Sequence, residues 1–216
     1  LGYLQQDFYN GPLWTTQRSA ILSLFLFCAG LGQSVAAARG QHASRFWQRW
    51  RQVAAAALLV SLGSWLMFPR SFIHFGVLHG IALMLIVARL SARLRTTSLL
   101  LAGVLATLVW VLGAWLLQGN PAQHFFNSPW LNWLGIVTRK PVTEDYVPLL
   151  PWLAVVWWGM AAGQWLQAHH PGVLAWEAGR MGTRLAALGR WSLSFYLLHQ
   201  PVLLAGLLLT RVLTRS

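Results

Sequence analysis

Apolar residues in this chain come in long blocks, not at the alternating positions of a strand or along the single stripe of a soluble helix. Six stretches carry no formal charge, at 19–38, 52–69, 71–88, 96–117, 146–167 and 191–210, and arginine-bearing segments separate them. Each stretch has about the 17–25 residues that a spanning helix needs. A twenty-residue helix rises about 30 Å, the thickness of a bilayer's hydrocarbon core. The pattern predicts an all-α fold, a polytopic integral membrane helical bundle with six spans in this sequence. Only Phe68, Pro69, Arg70 and Ser71 separate the second and third stretches. This predicts a tight helical hairpin whose first arm ends at the proline.

Charged residues make up 9% of the chain, against roughly 25% in an ordinary soluble domain. The net charge of +12 would point to nucleic acid in a soluble protein, but here its distribution reads as membrane topology. Arg39, Arg45, Arg49 and Arg51 follow the first stretch, Arg89, Arg93 and Arg95 the third, and Arg180, Arg184 and Arg190 the fifth. Alternate loops are therefore basic and belong on the cytoplasmic side. The intervening loops hold Arg70, then Arg139 and Lys140 offset by Glu144 and Asp145, and belong outside. The tail with Arg211 and Arg215 runs against the rule. Several of the fourteen tryptophans, among them Trp47, Trp50, Trp130, Trp152 and Trp191, fall near expected span ends, as interfacial belts require.

The polar opening LGYLQQDFYNGPLW and a first residue other than methionine imply that the natural start lies upstream. With the first loop inside, residue 1 falls outside, which calls for a preceding helix and at least seven spans in the full chain. No basic segment precedes a short apolar run, so no signal peptide is read. The lone Cys28 forms no internal disulfide and supports no cysteine-based zinc site. Residues 1–216 read as one transmembrane domain, with 118–145 as an outward-facing loop. Its PWLNWLGIV patch is too short to span and lies on the membrane surface or acts as a lid. Phosphate-binding and dinucleotide fingerprints are absent, which argues against ATP-driven transport by this chain alone.

Ionisable groups at membrane depth are costly enough to mark function. His199 lies near the centre of the sixth stretch and His79 about 10 Å below the outer end of the third, so the two share a depth. Pro201 predicts a kink beside His199. Gly76 and Gly80, four apart beside His79, have the spacing that admits a close neighbouring helix. Either histidine serves chemistry or is interhelical polar glue. Asp145 orients a histidine, accepts from a substrate amine or hydroxyl, or caps the helix that Pro148 helps to start. Tyr146 is a substrate donor or an interfacial anchor. The segment RGQHASRFWQRWR suits the phosphates of a cofactor, although topology and anionic lipid account for it equally. His169 and His170, with Glu177 as the only nearby acid, make a weak metal site, and no metal is assigned.

Four runs, SLFLFCAGLGQS, FIHFGVLHGIAL, DYVPLLPW and GRWSLSFYLLHQPVL, resemble in order and spacing the heparan-alpha-glucosaminide N-acetyltransferase catalytic-domain family, in particular its compact bacterial inner-membrane members. The resemblance covers nearly the whole chain. It implies a multi-pass acyltransferase of the bacterial inner membrane, with its basic loops cytoplasmic. Such an enzyme takes acetyl from cytoplasmic acetyl-CoA, as co-substrate, and delivers it to an amino sugar or glycan outside. Family members begin with a helix bearing a histidine followed by an aspartate, the usual candidate for acetyl transfer. That helix has no counterpart here, so residues 1–216 alone are expected to be inactive.

His79, His199 and Asp145 are then the catalytic candidates in this sequence, Tyr146 and Gln200 the substrate-binding ones, and Arg45, Arg49, Arg93 and Arg190 the acetyl-CoA-binding ones. A secondary transporter or channel for a polar solute is the alternative reading. It would also bury histidines in kinked helices, but it often shows related halves, and none is visible.

Overall fold

A computed structural model describes residues 11–143, 145–175 and 179–191, with 193–195, 197–198, 202–203, 206 and 210 beyond them. Helices are the regular structure of the described residues, with no strand among them. The helices are α1 (Pro12–Ala38), α2 (Ala43–Met67), α3 (Val77–Leu90), α4 (Thr96–Leu116), α5 (Gln123–Phe126), α6 (Trp152–His169), α7 (Pro171–Ala175) and α8 (Arg180–Arg190).

α1 starts with Pro12 in its first turn, where a missing N–H costs nothing. It stops at a Schellman motif: the Gly40 N–H donates to the Ala37 carbonyl and the Gln41 N–H to that of Ala36, both at 3.0 Å. Gly40 has φ +65°, a left-handed conformation that glycine adopts without penalty. The turn sends the chain directly into α2.

α1 and α6 run parallel and form the tightest seam of the bundle. Glycines make it: Gly30 lies on the backbone of Val156 and Met160, Gly159 on the backbone of Phe27, and Gly163 against Ser34 and Leu31. α4 packs antiparallel on the other side of α6, with Gly103 under the Trp158 ring. Leu26, Met84, Leu99 and Met160, from four helices, are the largest fully buried side chains and mark the centre. Outward faces stay apolar. On α4, Leu101, Leu105, Leu112 and Leu116 are each at least half exposed, and on α2 so are Leu58, Leu59, Leu62 and Leu66.

α1 and α4 are long and apolar enough on their own to cross a membrane. The other expected spans take a different form. α2 begins nine residues before the charge-free stretch and carries Arg45, Arg49 and Arg51 on its first turns. α3 has 14 residues, about 21 Å of helix, because 71–76 is not helical. The hairpin connection is therefore longer than expected and runs over 68–76, although Pro69 does follow the end of α2. α6 begins at Trp152 instead of Tyr146, and the connection from α4 to α6 runs over 117–151. His199, Gln200 and Pro201 lie outside the described residues, as do Glu144 and Glu177.

Candidate active site

At the expected outer end, four side chains hold the non-helical strap 71–76 in place. The Ser64 hydroxyl accepts from the Ile73 N–H at 3.0 Å, and the Ser61 hydroxyl donates to the Ile73 carbonyl at 2.6 Å. Thr143 Oγ1 lies 3.1 Å from the Phe72 carbonyl. Asp145 Oδ2 accepts from the Val77 N–H at 2.7 Å, which satisfies a free donor in the first turn of α3. Asp145 is thus a helix cap, but of α3 and not of the helix that follows Pro148. A carboxylate there also meets the positive end of the helix dipole.

His79 sits in this knot with both ring nitrogens engaged. Nδ1 accepts from the Gly76 N–H at 3.4 Å and Nε2 lies 3.1 Å from Ser61 Oγ. Because the Ser61 proton goes to Ile73, Nε2 carries the hydrogen and the imidazole is the neutral Nε2–H tautomer. Phe75 packs 5.9 Å from the His79 ring and 6.1 Å from that of Trp133, which brings the PWLNWLGIV patch over the strap. The Tyr146 hydroxyl donates to the Asn132 carbonyl at 2.6 Å, tying the patch to the extended run 145–149. Burial pushes the Tyr146 phenol up to about 12.

Gly76 and Gly80 do allow a close approach, though not of a helix. A side chain on Gly76 would collide with the Asp145 carboxylate, and one on Gly80 with the Val147 carbonyl. The neighbour is the extended segment leading into α6. The glycine seam between helices lies instead at Gly30, Gly159 and Gly163. Gly159 and Gly163 show the four-residue spacing, which is the signal that locates it.

The opposite end is open. A cavity of about 980 Å³ lies between the ends of α1, α3 and α6, with Arg89, Arg93 and His42 among its lining and Gln41, Gln164 and Gln167 on its walls. The Arg89 guanidinium donates to the Gln41 carbonyl at 3.3 Å and lies 5.5 Å over the Phe46 ring, so this arginine is held in position. Gln167 donates to Ser34 Oγ at 3.0 Å and to the Gly163 carbonyl at 2.8 Å. Gln164 donates to the Leu94 carbonyl at 2.9 Å and accepts from Thr96 at 2.8 Å. The amides are thus fixed at the end of the α1–α6 seam. A second cavity, of about 780 Å³, holds Arg39, Arg45 and Arg49. Gln41 lines both cavities, which sit on either side of the α1–α2 turn.

The arginines expected to act together are therefore divided. Arg93 is in the first cavity and Arg45 and Arg49 in the second, while nothing is described of the Arg190 side chain. Sequence inspection missed Arg89, Gln164 and Gln167. The two glutamines, three apart within an otherwise apolar block, were the available signal. His169 stacks on Trp165 at 5.3 Å and meets the Trp165 carbonyl through Nδ1 at 3.0 Å. Among the described residues no three His, Cys, Asp or Glu side chains gather as a metal site.

The family model for "heparan-alpha-glucosaminide N-acetyltransferase, catalytic" matches residues 1–201. The chain belongs to this family. No curated protein and no solved structure matches it. Membership makes the chain one of an N-acetyltransferase family and sets the chemistry against which the two ends of the bundle are to be read.

Proposed function

We propose that this protein is a membrane-bound N-acetyltransferase that moves acetyl from cytoplasmic acetyl-CoA to an amino sugar or glycan on the outer side of a bacterial inner membrane. Residues 1–216 act as one domain of six spans with the basic loops inside. The exposed leucines of α2 and α4 support a lipid-facing surface. The short α3 spans together with its strap, whose irregular backbone is tolerated because protein side chains satisfy it.

The observation that carries this reading is the 980 Å³ cavity at the arginine-bearing end, at the upper end of the range for small-molecule sites. Its lining fits acetyl-CoA: guanidinium groups for phosphates, and glutamine amides for the amide-rich arm, Gln167 through its free carbonyl oxygen since both its N–H groups are committed. Arg93 and Arg89 are assigned to the phosphates, Gln164 and Gln167 to the arm. In the reaction the acceptor nitrogen bonds to the thioester carbonyl carbon, the carbon–sulfur bond breaks, and the amine proton passes to a base as CoA leaves. His79, with both nitrogens committed, positions the strap and Asp145 at the acceptor's mouth. The base is assigned to His199, with Gln200 beside it.

Titration of the detergent-solubilised protein with acetyl-CoA tests this. Arg93 is exposed and makes no hydrogen bond within the described residues, so Arg93→Gln removes a ligand contact without a structural one. A charge-assisted contact is worth about 1.5–3 kcal/mol, so affinity should fall about 10- to 100-fold. If the unsubstituted protein binds no acetyl-CoA, the reading fails and the transporter alternative moves ahead.

A further inference from the structure

The second cavity has features that the acetyl-CoA reading does not use. Arg45 and Arg49 are one turn apart on α2, and Arg39 joins them from the end of α1. Among the described residues none of the three guanidinium groups has a hydrogen-bond or ion-pair partner. Below them the α1 side is apolar, with Leu31, Val35 and Ala36, and Leu174 of α7 joins it, while Gln48 and Gln52 line the α2 side. From Arg39 down to Leu31 the α1 wall extends about 12 Å along the helix axis. The site thus combines a compact cationic head with an apolar trough parallel to the bundle axis. Trp47, about half exposed on α2 between the two arginines, marks the level of a membrane interface.

We propose that this cavity is a binding site for one anionic phospholipid of the cytoplasmic leaflet, its phosphate held by Arg39, Arg45 and Arg49 and an acyl chain lying along Leu31, Val35 and Leu174. Charge complementarity and the apolar wall together select the occupant, since a soluble anion would use only the head of the site and a zwitterionic lipid would not answer three unpaired cations. Because α7 follows α6 directly, an acyl chain against Leu174 also braces the end of α6 that carries Gln164 and Gln167. The inference rests on the membrane reading of the bundle and not on acetyl-CoA as its ligand.

The test reconstitutes the protein in phosphatidylcholine nanodiscs with and without phosphatidylglycerol and counts lipids retained on the ejected protein by native mass spectrometry. The unsubstituted protein should retain one phosphatidylglycerol. Arg45→Gln/Arg49→Gln should weaken retention about 25-fold, at about fivefold per arginine near an anionic headgroup, while Arg93→Gln should leave it unchanged. Glycerol phosphate, the head without a tail, should not compete. Retention unaltered by the double substitution overturns the proposal, as does equal competition by glycerol phosphate, which would make the site one for soluble anions. Loss of acetyl-CoA affinity in the double variant equal to that in Arg93→Gln also overturns it and gives both cavities to the nucleotide. Unfolding temperatures of the variants separate these results from misfolding.

Discussion

The seam between α1 and α6 gives the sharpest physical prediction, because two glycines of α1, two residues apart, should respond in opposite directions to the same substitution. A β-carbon on Gly30 would lie 2.9 Å from the Val156 carbonyl carbon and 3.1 Å from the Met160 nitrogen. One on Gly159 would lie 2.9 and 3.0 Å from the carbonyl carbon and Cα of Phe27. Ordinary contact is about 3.5–4.0 Å, so the helices must part by about 0.5–1 Å, which forfeits a quarter to a half of the dispersion energy of each contact along the seam. The atoms in the way are backbone and cannot rotate aside. Overpacking of this kind costs about 1–3 kcal/mol. At Gly32 nothing lies within 4 Å of the added carbon, and alanine there gains up to about 1 kcal/mol of helix propensity. In detergent, Gly30→Ala and Gly159→Ala should therefore lower the stability measured by SDS or thermal unfolding by about 1–3 kcal/mol, while Gly32→Ala leaves it unchanged or raises it. Since the seam ends at Ser34, Gly163 and Gln167, the first two variants should also weaken acetyl-CoA binding. Equal effects at all three positions would refute the packing argument.

In the full-length protein His79→Gln, whose amide nitrogen reaches Ser61 in place of Nε2, should keep acetyl transfer within about tenfold. His79→Ala strands the Gly76 N–H and should cost about 1–3 kcal/mol of stability. Transfer lost in the glutamine variant at an unchanged unfolding temperature would return His79 to proton chemistry. Asp145→Ala removes the α3 cap and should cost about 0.5–2 kcal/mol, with Asp145→Asn retaining part of it; hydrogen exchange at the start of α3 reads this directly, and unaltered exchange there would show that the cap is idle. Tyr146 has a folded pKa of about 12 against 10.0 for a free phenol. Between those values the unfolded chain loses a proton that the folded one keeps, so stability falls as pH rises from about 10 to 12. Tyr146→Phe should abolish that step in the pH–stability difference, and a step that persists in the variant must come from another group.

Hydropathy located α1 and α4 because their charge-free lengths match a bilayer. It failed at 71–76 for a reason that hydropathy cannot register: Ser61, Ser64, Thr143 and Asp145, distant in sequence, supply the hydrogen bonds that a helix would otherwise make internally. Asp145, Tyr146 and His79 were legible as polar groups gathered at one end. Their hydrogen-bond partners were not, since a cap of α3, a tie to Asn132 and a doubly bonded imidazole leave no mark in the sequence. Loop membership likewise identified the arginines as basic but could not say on which side of the Gly40 turn each would lie. Position along α2 decides that Arg45 and Arg49 leave the cavity that Arg93 shares.

The two ends of the bundle also constrain where the proposed transfer can run. From His79 to Arg89 is about 15 Å along α3, and the core between holds Leu26, Met84 and Met160, each no more than 1% exposed. A packed interior of this kind has no room for a thioester arm to pass between α1, α3 and α6 without repacking. Leu193 and Leu197, at the start of the sixth apolar stretch, pack against the same core. Under the proposed function the acetyl path therefore runs outside the packed centre marked by Leu26, Met84 and Met160. Under the proposed function the seam between α1 and α6 and the strap held by His79 and Asp145 serve as fixed walls at the two ends of the bundle, and the base proposed at His199 supplies the proton transfer.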